Sequence, residues 1–216
     1  MKKPITLTIL AAAALTSVPA CAGNMVELKI IGSIRPTACT PSLGADGVAD
    51  YGTIAAGSLV RGSYTRLPRK EMSFTIVCDA AANMALKTID NRSASVVSGV
   101  AGAGVPDALV YGLGSVANSN VGGYRLFIPQ ATVMADSMPV MQIFSANGGN
   151  WSSTGDGMLG KDRILSWAAS GTNTPAAFRT VQGVIAVEPY LNKPENLPLS
   201  HSVPLDGSVT LEVVYL

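Results

Sequence analysis

The sequence predicts an all-β protein, a single immunoglobulin-like β-sandwich with long loops. Apolar residues alternate with polar ones over short stretches, which is typical of strands that have one face in a core. The 216 residues include 22 glycines and 13 prolines but only 6% aromatic residues. This composition favours many short strands joined by turns over long amphipathic helices.

The charge balance argues against one class of partner. The chain has 15 Lys and Arg against 14 Asp and Glu, a formal net charge of +1, and no run of basic residues. Binding to nucleic acid needs a clustered positive surface. We therefore expect no nucleic-acid partner.

Residues 1–22 have the pattern of a secretory signal peptide. Two lysines precede an apolar run from Ile5 to about Leu15, and small residues predict cleavage between Ala22 and Gly23. This leaves residues 23–216 as one domain. A lipidated Cys21 is an alternative, and so is an uncleaved anchor, although the apolar run is shorter than the ~20 residues that span a bilayer.

The cysteines predict a disulfide. If Cys21 leaves with the signal peptide, Cys39 and Cys78 remain in an exported, oxidising setting, where we expect them to pair. A metal or redox pair would need closer spacing or histidine partners, which the sequence lacks.

Predicted strands follow one another along the mature chain. The first alternates apolar residues from Val26 to Ile34 and runs toward Cys39, and the next, from Met72, ends at Cys78. Further strands are predicted at 51–54, 85–89, 109–113, 124–128, 140–144 and 177–187. The connections between residues 91 and 175 are rich in Gly, Ser, Asn and Ala, which predicts long surface loops.

The last predicted strand, from Gly207 to Leu216, is rich in β-branched and aromatic residues. One face of this strand carries alternating residues: Val209, Leu211, Val213 and Tyr215. No later strand is available to pair with it, so we expect it to need a neighbour from elsewhere.

At this point the sequence resembles the chaperone-usher pilus subunits. Gly32-Ser-Ile34 ahead of Cys39 is similar to the first strand of many pilins, and the alternating terminus with its penultimate Tyr215 resembles the motif that pilus chaperones recognise. More closely, the chain resembles the beta-fimbriae probable major subunit family. The segments that carry this resemblance are Ala38-Cys-Thr-Pro41, Asp50-Tyr-Gly-Thr-Ile54, Cys78-Asp79, Asp90-Asn-Arg92 and Pro204-Leu-Asp-Gly207.

The resemblance implies an incomplete immunoglobulin-like fold that lacks its last strand. A strand from a periplasmic pilus chaperone, or the N-terminal extension of another fimbrial subunit, would fill a groove beside the C-terminal strand, with an outer-membrane usher directing assembly. The protein would be a structural subunit exported through the periplasm to a cell-surface fimbria. The implied strand-binding residues are Gly207, Val209, Leu211, Val213, Tyr215 and Leu216.

One departure concerns the donor strand. Only Gly23 to Met25 precede Val26, whereas polymerising pilins usually carry an extension ahead of their first strand. Three explanations stay open: residues 26–34 serve both roles, the signal is cut elsewhere, or the subunit accepts a strand without donating one. The third would make it a tip or terminating subunit.

Few residues offer catalytic chemistry. His201 is the only histidine, which removes most catalytic triads and zinc sites. Glu188, Glu195 and Asp206 are scattered and expected on solvated turns, and no glycine-rich stretch has the lysine of a phosphate loop. We expect no enzyme activity, no metal and no cofactor.

Glycan binding by a tip adhesin is the alternative function. An aromatic ring beside amide groups can stack on a sugar. The aromatic residues in or beside the Gly/Asn-rich region are Tyr111, Tyr124, Trp151 and Trp167. Asn147 and Asn150 near Trp151 make this loop the candidate contact for a glycan receptor.

Overall fold

The computed structural model describes residues 26–34, 37–153, 155 and 157–216. The predicted signal peptide and Cys21 lie outside the described residues. The chain divides into two units, residues 1–35 and residues 36–216. No helix in the described part is long and apolar enough to span a membrane.

The second unit is all-β, and every pairing between its named strands is antiparallel. Its strands are β1 (Cys39–Leu43), β2 (Thr65–Arg66), β3 (Lys70–Asp90), β4 (Tyr111–Gly112), β5 (Ser115–Val116), β6 (Ser119–Asn120), β7 (Gly122–Phe127), β8 (Met134–Ala135), β9 (Met138–Pro139), β10 (Met141–Ser145), β11 (Ser152–Ser153), β12 (Ile164–Ala168), β13 (Ala177–Leu191) and β14 (Val209–Tyr215). Short 3-10 helices lie at Gly44–Gly47, Ala56–Ser58, Ser93–Ser95, Asp107–Leu109, Gln130–Thr132 and Pro194–Asn196.

One long strand, β3, runs through both layers of the fold. Its first half pairs with β1 and β13, and β13 continues that layer through β7 to β4. Its second half pairs with β12 and β14, and β12 continues the other layer through β10 to β11. The structure therefore has one strand where the sequence predicts two, at 72–78 and 85–89.

Apolar side chains from both layers form a shared core. They include Phe74, Ile76, Val181 and Ile185 from the first layer and Met84, Leu86, Leu165 and Trp167 from the second. The fully buried Trp167 lies on β12, a strand that the sequence analysis missed. The predicted immunoglobulin-like β-sandwich is thus confirmed, whereas the strand predicted at 51–54 is absent.

The predicted disulfide is also confirmed. Cys39 and Cys78 are bonded at an S–S distance of 2.04 Å, and they lie directly opposite each other in the β1–β3 pairing. The bond closes a separation of 39 residues. Cross-linking a loop of this length contributes about 4 kcal/mol in the chain-entropy model.

The strand predicted from Val26 to Ile34 is wrong. The segment has no assigned strand, and the first strand of the fold begins at Cys39. Its apolar side chains are almost fully exposed: Val26 94%, Leu28 84%, Ile30 92%, Ile31 92% and Ile34 103%. Alternation indicates that a segment can form a strand, but it does not determine whether another strand of the same fold will pair with it.

Part of the region predicted as surface loops packs on the outer face of the first layer. Leu109 and Met158 contact Phe127 of β7 and Ala186 of β13 in one small apolar cluster, and Val100 and Val110 contact Tyr190 in another. The end of β13 is therefore buried on both faces.

Glu188 was predicted on a solvated turn, but it lies on β13 with its side chain 0% exposed. Arg125 Nη2 lies 2.6 Å from Glu188 Oε2. Tyr190 and Arg66 also donate hydrogen bonds to this carboxylate. Burial alone would raise the pKa of Glu188, but the hydrogen bonds from Tyr190, Arg125 and Arg66 outweigh it and lower the pKa to about 2.

Glu188 should make the stability of the folded protein sensitive to acid. Because the pKa is lower in the folded chain, ionised Glu188 stabilises the fold above pH 4.5, and this contribution is lost between pH 4.5 and about 2. We expect it to be about 3 kcal/mol, and Glu188→Gln should remove it. Denaturant unfolding of the protein, folded with the added strand that the resemblance implies, measures this contribution across the pH range. The control Glu212→Gln breaks a half-exposed ion pair with Lys87 and should cost under ~1 kcal/mol; equal effects of both variants would contradict the prediction.

Candidate functional site

The terminal strand β14 has one paired edge. It pairs with β3 along its whole length, from Val209 opposite Asp90 to Tyr215 opposite Met84. Within the described residues β14 pairs with no other strand. Its second edge is therefore open to a further strand.

The hydrogen bonds at the two ends of β14 show which backbone groups face the open edge. Asn91 N donates to Ser208 O at 3.0 Å, and Leu216 N donates to Asn83 O at 3.0 Å. In an antiparallel ladder such pairs alternate with pairs whose backbone groups point outward. The even-numbered residues therefore bond to β3. The N–H and C=O groups that point to the open edge belong to Val209, Leu211, Val213 and Tyr215.

The same alternate residues supply the apolar row predicted from the sequence. Val209, Leu211 and Val213 are partly buried and pack against the main core. Thr210 and Glu212 point to the other face and are exposed. An added strand would therefore meet backbone groups and core-facing side chains of the same residues.

The second wall of the site is β1, whose pairing in the described residues is with β3 alone. The two walls meet at one end, where Cys39 N donates a 2.7 Å hydrogen bond to the Tyr215 hydroxyl. Away from that end, a cavity of about 320 Å³ separates them, lined by Leu43 of β1 and by Val209 and Leu211 of β14.

Two further cavities continue the first one. A cavity of about 280 Å³ shares Leu43, Val209 and Leu211 with it. A cavity of about 750 Å³ shares Tyr51, Leu205 and Gly207 with the second. Together they form one groove over the core, with mainly apolar side chains beside β14, which we call the β1–β14 groove.

The far part of the groove has walls of backbone that belongs to no strand. Ala49, Tyr51 and Ile54 point inward from one side, and Val203 and Leu205 point inward from the other. The sequence does contain a pattern that indicates the second of these walls, because the alternation of the terminal strand continues backward through Leu205 to Val203.

Two tyrosines line the groove. Burial raises the pKa of Tyr51 to about 12, and its hydroxyl donates to Val187 O at 3.1 Å. Burial also raises the pKa of Tyr124, whose hydroxyl has no hydrogen-bond partner in the described residues. Gly207 lies against the Tyr124 ring, where a Cβ would come within 2.8 Å of a ring carbon.

The other predicted strand-binding residues flank this row. Leu216 is half-exposed and bonds to β3, and Gly207 lines the groove. His201 lines the cavity of about 750 Å³. In the described residues no cluster of His, Cys, Asp or Glu could hold a metal ion. Beside β14 the groove therefore offers mainly apolar side chains and backbone groups.

The aromatic residues considered for glycan binding do not form one site. Tyr111, Tyr124 and Trp167 are buried in the core. Trp151 is partly exposed in the β10–β11 loop, and its indole N–H donates to Gly148 O at 3.2 Å. Asn147 shares this loop and accepts a 3.0 Å hydrogen bond from Gly149 N, while Asn150 is exposed.

Comparison with known proteins gives similarity along the whole chain. A family model described as "Protein of unknown function (DUF1120)" matches residues 28–125. Protein GltF of Escherichia coli strain K12 is 28% identical over 251 aligned residues, covering 100% of this chain and 99% of GltF. The uncharacterized protein YhcF of the same strain is 24% identical over 234 residues, covering 96% of this chain and 98% of YhcF. Only part of the groove falls within the family match, since β14 lies beyond residue 125.

Proline substitutions in β14 should distinguish its two edges. The N–H of Glu212 bonds to β3, whereas that of Val213 points to the open edge. Because proline lacks an N–H and is tolerated only where that group makes no ladder bond, the two variants should differ when the protein is complexed with a chaperone strand. Glu212→Pro should lower the free energy of unfolding of the complex by roughly 2 kcal/mol, whereas Val213→Pro should mainly weaken binding of the added strand, by about tenfold. Denaturant unfolding and the rate of strand release measure the two effects, and faster release from Glu212→Pro than from Val213→Pro would show that the open edge is misassigned.

Proposed function

We propose that the protein is a structural subunit of a fimbria, exported through the periplasm to the cell surface and completed there by a strand from another polypeptide. The observation that carries the proposal is the open edge of β14 beside an apolar groove over the core. The resemblance of the sequence to chaperone-usher pilus subunits supports the same function.

The physical need for a partner follows from the groove itself. Unpaired N–H and C=O groups on an apolar edge promote aggregation, and a single added strand satisfies them. Strand addition also seats alternate side chains in pockets, which provides both affinity and selectivity. A periplasmic chaperone would supply this strand before assembly, and another fimbrial subunit would replace it at the outer-membrane usher.

The segment Val26–Ile34 is a suitable donor for a second copy of the chain. It forms no strand in its own fold, and its apolar side chains are exposed. Its alternate positions are Val26, Leu28, Ile30, Gly32 and Ile34. When extended, it would span about 30 Å, enough to follow all 7 residues of β14. A donor extension ahead of Val26 is then unnecessary, because Val26–Ile34 itself would be the donor and need not also serve as the first strand of its own fold.

Expression tests the need for a partner. The mature chain alone should aggregate or remain poorly ordered, whereas co-expression with its cognate chaperone should give a stable 1:1 complex by size exclusion and native mass spectrometry. A monomer that unfolds cooperatively on its own, without any added strand, would contradict the proposal.

Peptides with the sequence of Val26–Ile34 test whether this segment can donate the strand. The unchanged peptide should bind in the β1–β14 groove, and two variants with a charge on opposite faces serve as matched controls. A peptide carrying Ile30→Asp places a charge among the inward residues and should lose binding, because an unpaired charge in an apolar groove is strongly unfavourable. A peptide carrying Ile31→Asp places the same charge on the opposite face and should still bind.

A tip adhesin that binds glycans is the second candidate function. The specific observation is the partly exposed Trp151 in a loop that also holds Asn147 and Asn150. Binding on a glycan array that disappears with Trp151→Ala would support this function. A negative array with the folded, complemented protein would count against it.

A further inference from the structure

Three arginines converge on one carboxylate at the outer face of the first layer, away from the β1–β14 groove. Arg66 and Arg125 bond to Glu188, and Arg69 Nη2 lies 3.8 Å from Glu188 Oε1. Three positive charges thus face one buried negative charge. Even if the exposed Glu71 on the same face is counted, the cluster keeps an excess positive charge.

The carboxylate does not require all three arginines. Arg66 donates to Oε1, while Arg125 and the Tyr190 hydroxyl donate to Oε2. Both oxygens of Glu188 therefore already have charge-assisted or hydroxyl donors. At 3.8 Å, Arg69 makes an ion pair but no hydrogen bond to Glu188.

Aromatic rings hold two of the guanidinium groups in place. Arg69 Cζ lies 4.8 Å from the Phe127 ring centroid, and Arg125 Cζ lies 4.9 Å from the same centroid. Arg125 also lies 5.3 Å from the centroid of Tyr190. Cation–π contacts of this length orient the groups and leave their N–H donors free.

Unused donors remain on all three side chains. In the described part of the chain Arg69 donates no hydrogen bond, and Arg66 and Arg125 bond through Nη2 alone. Arg125 Nε is buried without a hydrogen-bond partner. The side chains of Arg66 and Arg69 are 62% and 40% exposed, so a ligand in solution can reach the cluster.

We propose that Arg66, Arg69 and Arg125 form a binding site for an oxyanion, the phosphate or carboxylate group of a small anionic ligand. Planar guanidinium groups match the two oxygens of either group. The excess charge supplies the attraction, and the aromatic contacts reduce the entropy lost when the arginines bind. This site is independent of strand exchange, because neither the groove nor Val26–Ile34 takes part in it.

Titration of the folded protein, complemented by an added strand, at constant ionic strength tests the site. Inorganic phosphate and glucuronate are the probes, with neutral glucose as the comparison and calorimetry or amide chemical shifts as the readout. We expect saturable binding of an oxyanion and none of glucose. Phosphate and glucuronate binding together would indicate recognition of either oxyanion, and binding of one alone would identify the ligand chemistry.

Variants of the arginines test whether this cluster is the site that binds the oxyanion. Arg69→Gln removes an arginine that makes no hydrogen bond, so the fold should persist while oxyanion affinity falls by about tenfold or more. Arg66→Gln provides a second, exposed variant with the same expectation. The control Arg179→Gln, at an exposed position near the other end of β13, should leave affinity unchanged. Absence of saturable binding, or equal affinity in all variants, would overturn the proposal.

Discussion

The open edge of β14 is the constraint on which the rest of the structure depends. Because β14 pairs with β3 through its even-numbered residues, Val209, Leu211 and Val213 carry both unpaired backbone groups and core-facing side chains, whereas Tyr215 at the end of the strand is 49% exposed. Hydrogen bonding and apolar burial therefore cannot be completed separately. One added strand would complete both.

The remaining architecture leaves this edge unpaired. The long strand β3 joins the two layers, because its first half pairs with β1 and its second half pairs with β14. The Cys39–Cys78 disulfide fixes β1 to β3, and the Tyr215 hydroxyl bonds to Cys39 N at the same end. The hydrogen bond from Cys39 N to the Tyr215 hydroxyl thus closes the groove at one end.

On the outer face of the first layer, three arginines neutralise a buried carboxylate. Burial of Glu188 beside Ala186 and Tyr190 would be costly without cations. The cations that neutralise it come from β2, the segment after it and β7, elements far apart in sequence. Their number exceeds what the carboxylate needs, so a structural ion cluster also leaves guanidinium donors facing solvent.

Local patterns in the sequence determined the β class, the terminal apolar row and the Cys39–Cys78 pair, because alternation and cysteine count act without long-range information. They could not determine which strands pair. Val26–Ile34 alternates as well as β14 does, yet only β14 joins the fold, and Glu188 looks like a solvated charge until three distant arginines surround it. Tertiary structure decided both outcomes, because pairing and burial depend on residues that are remote in sequence and close in space.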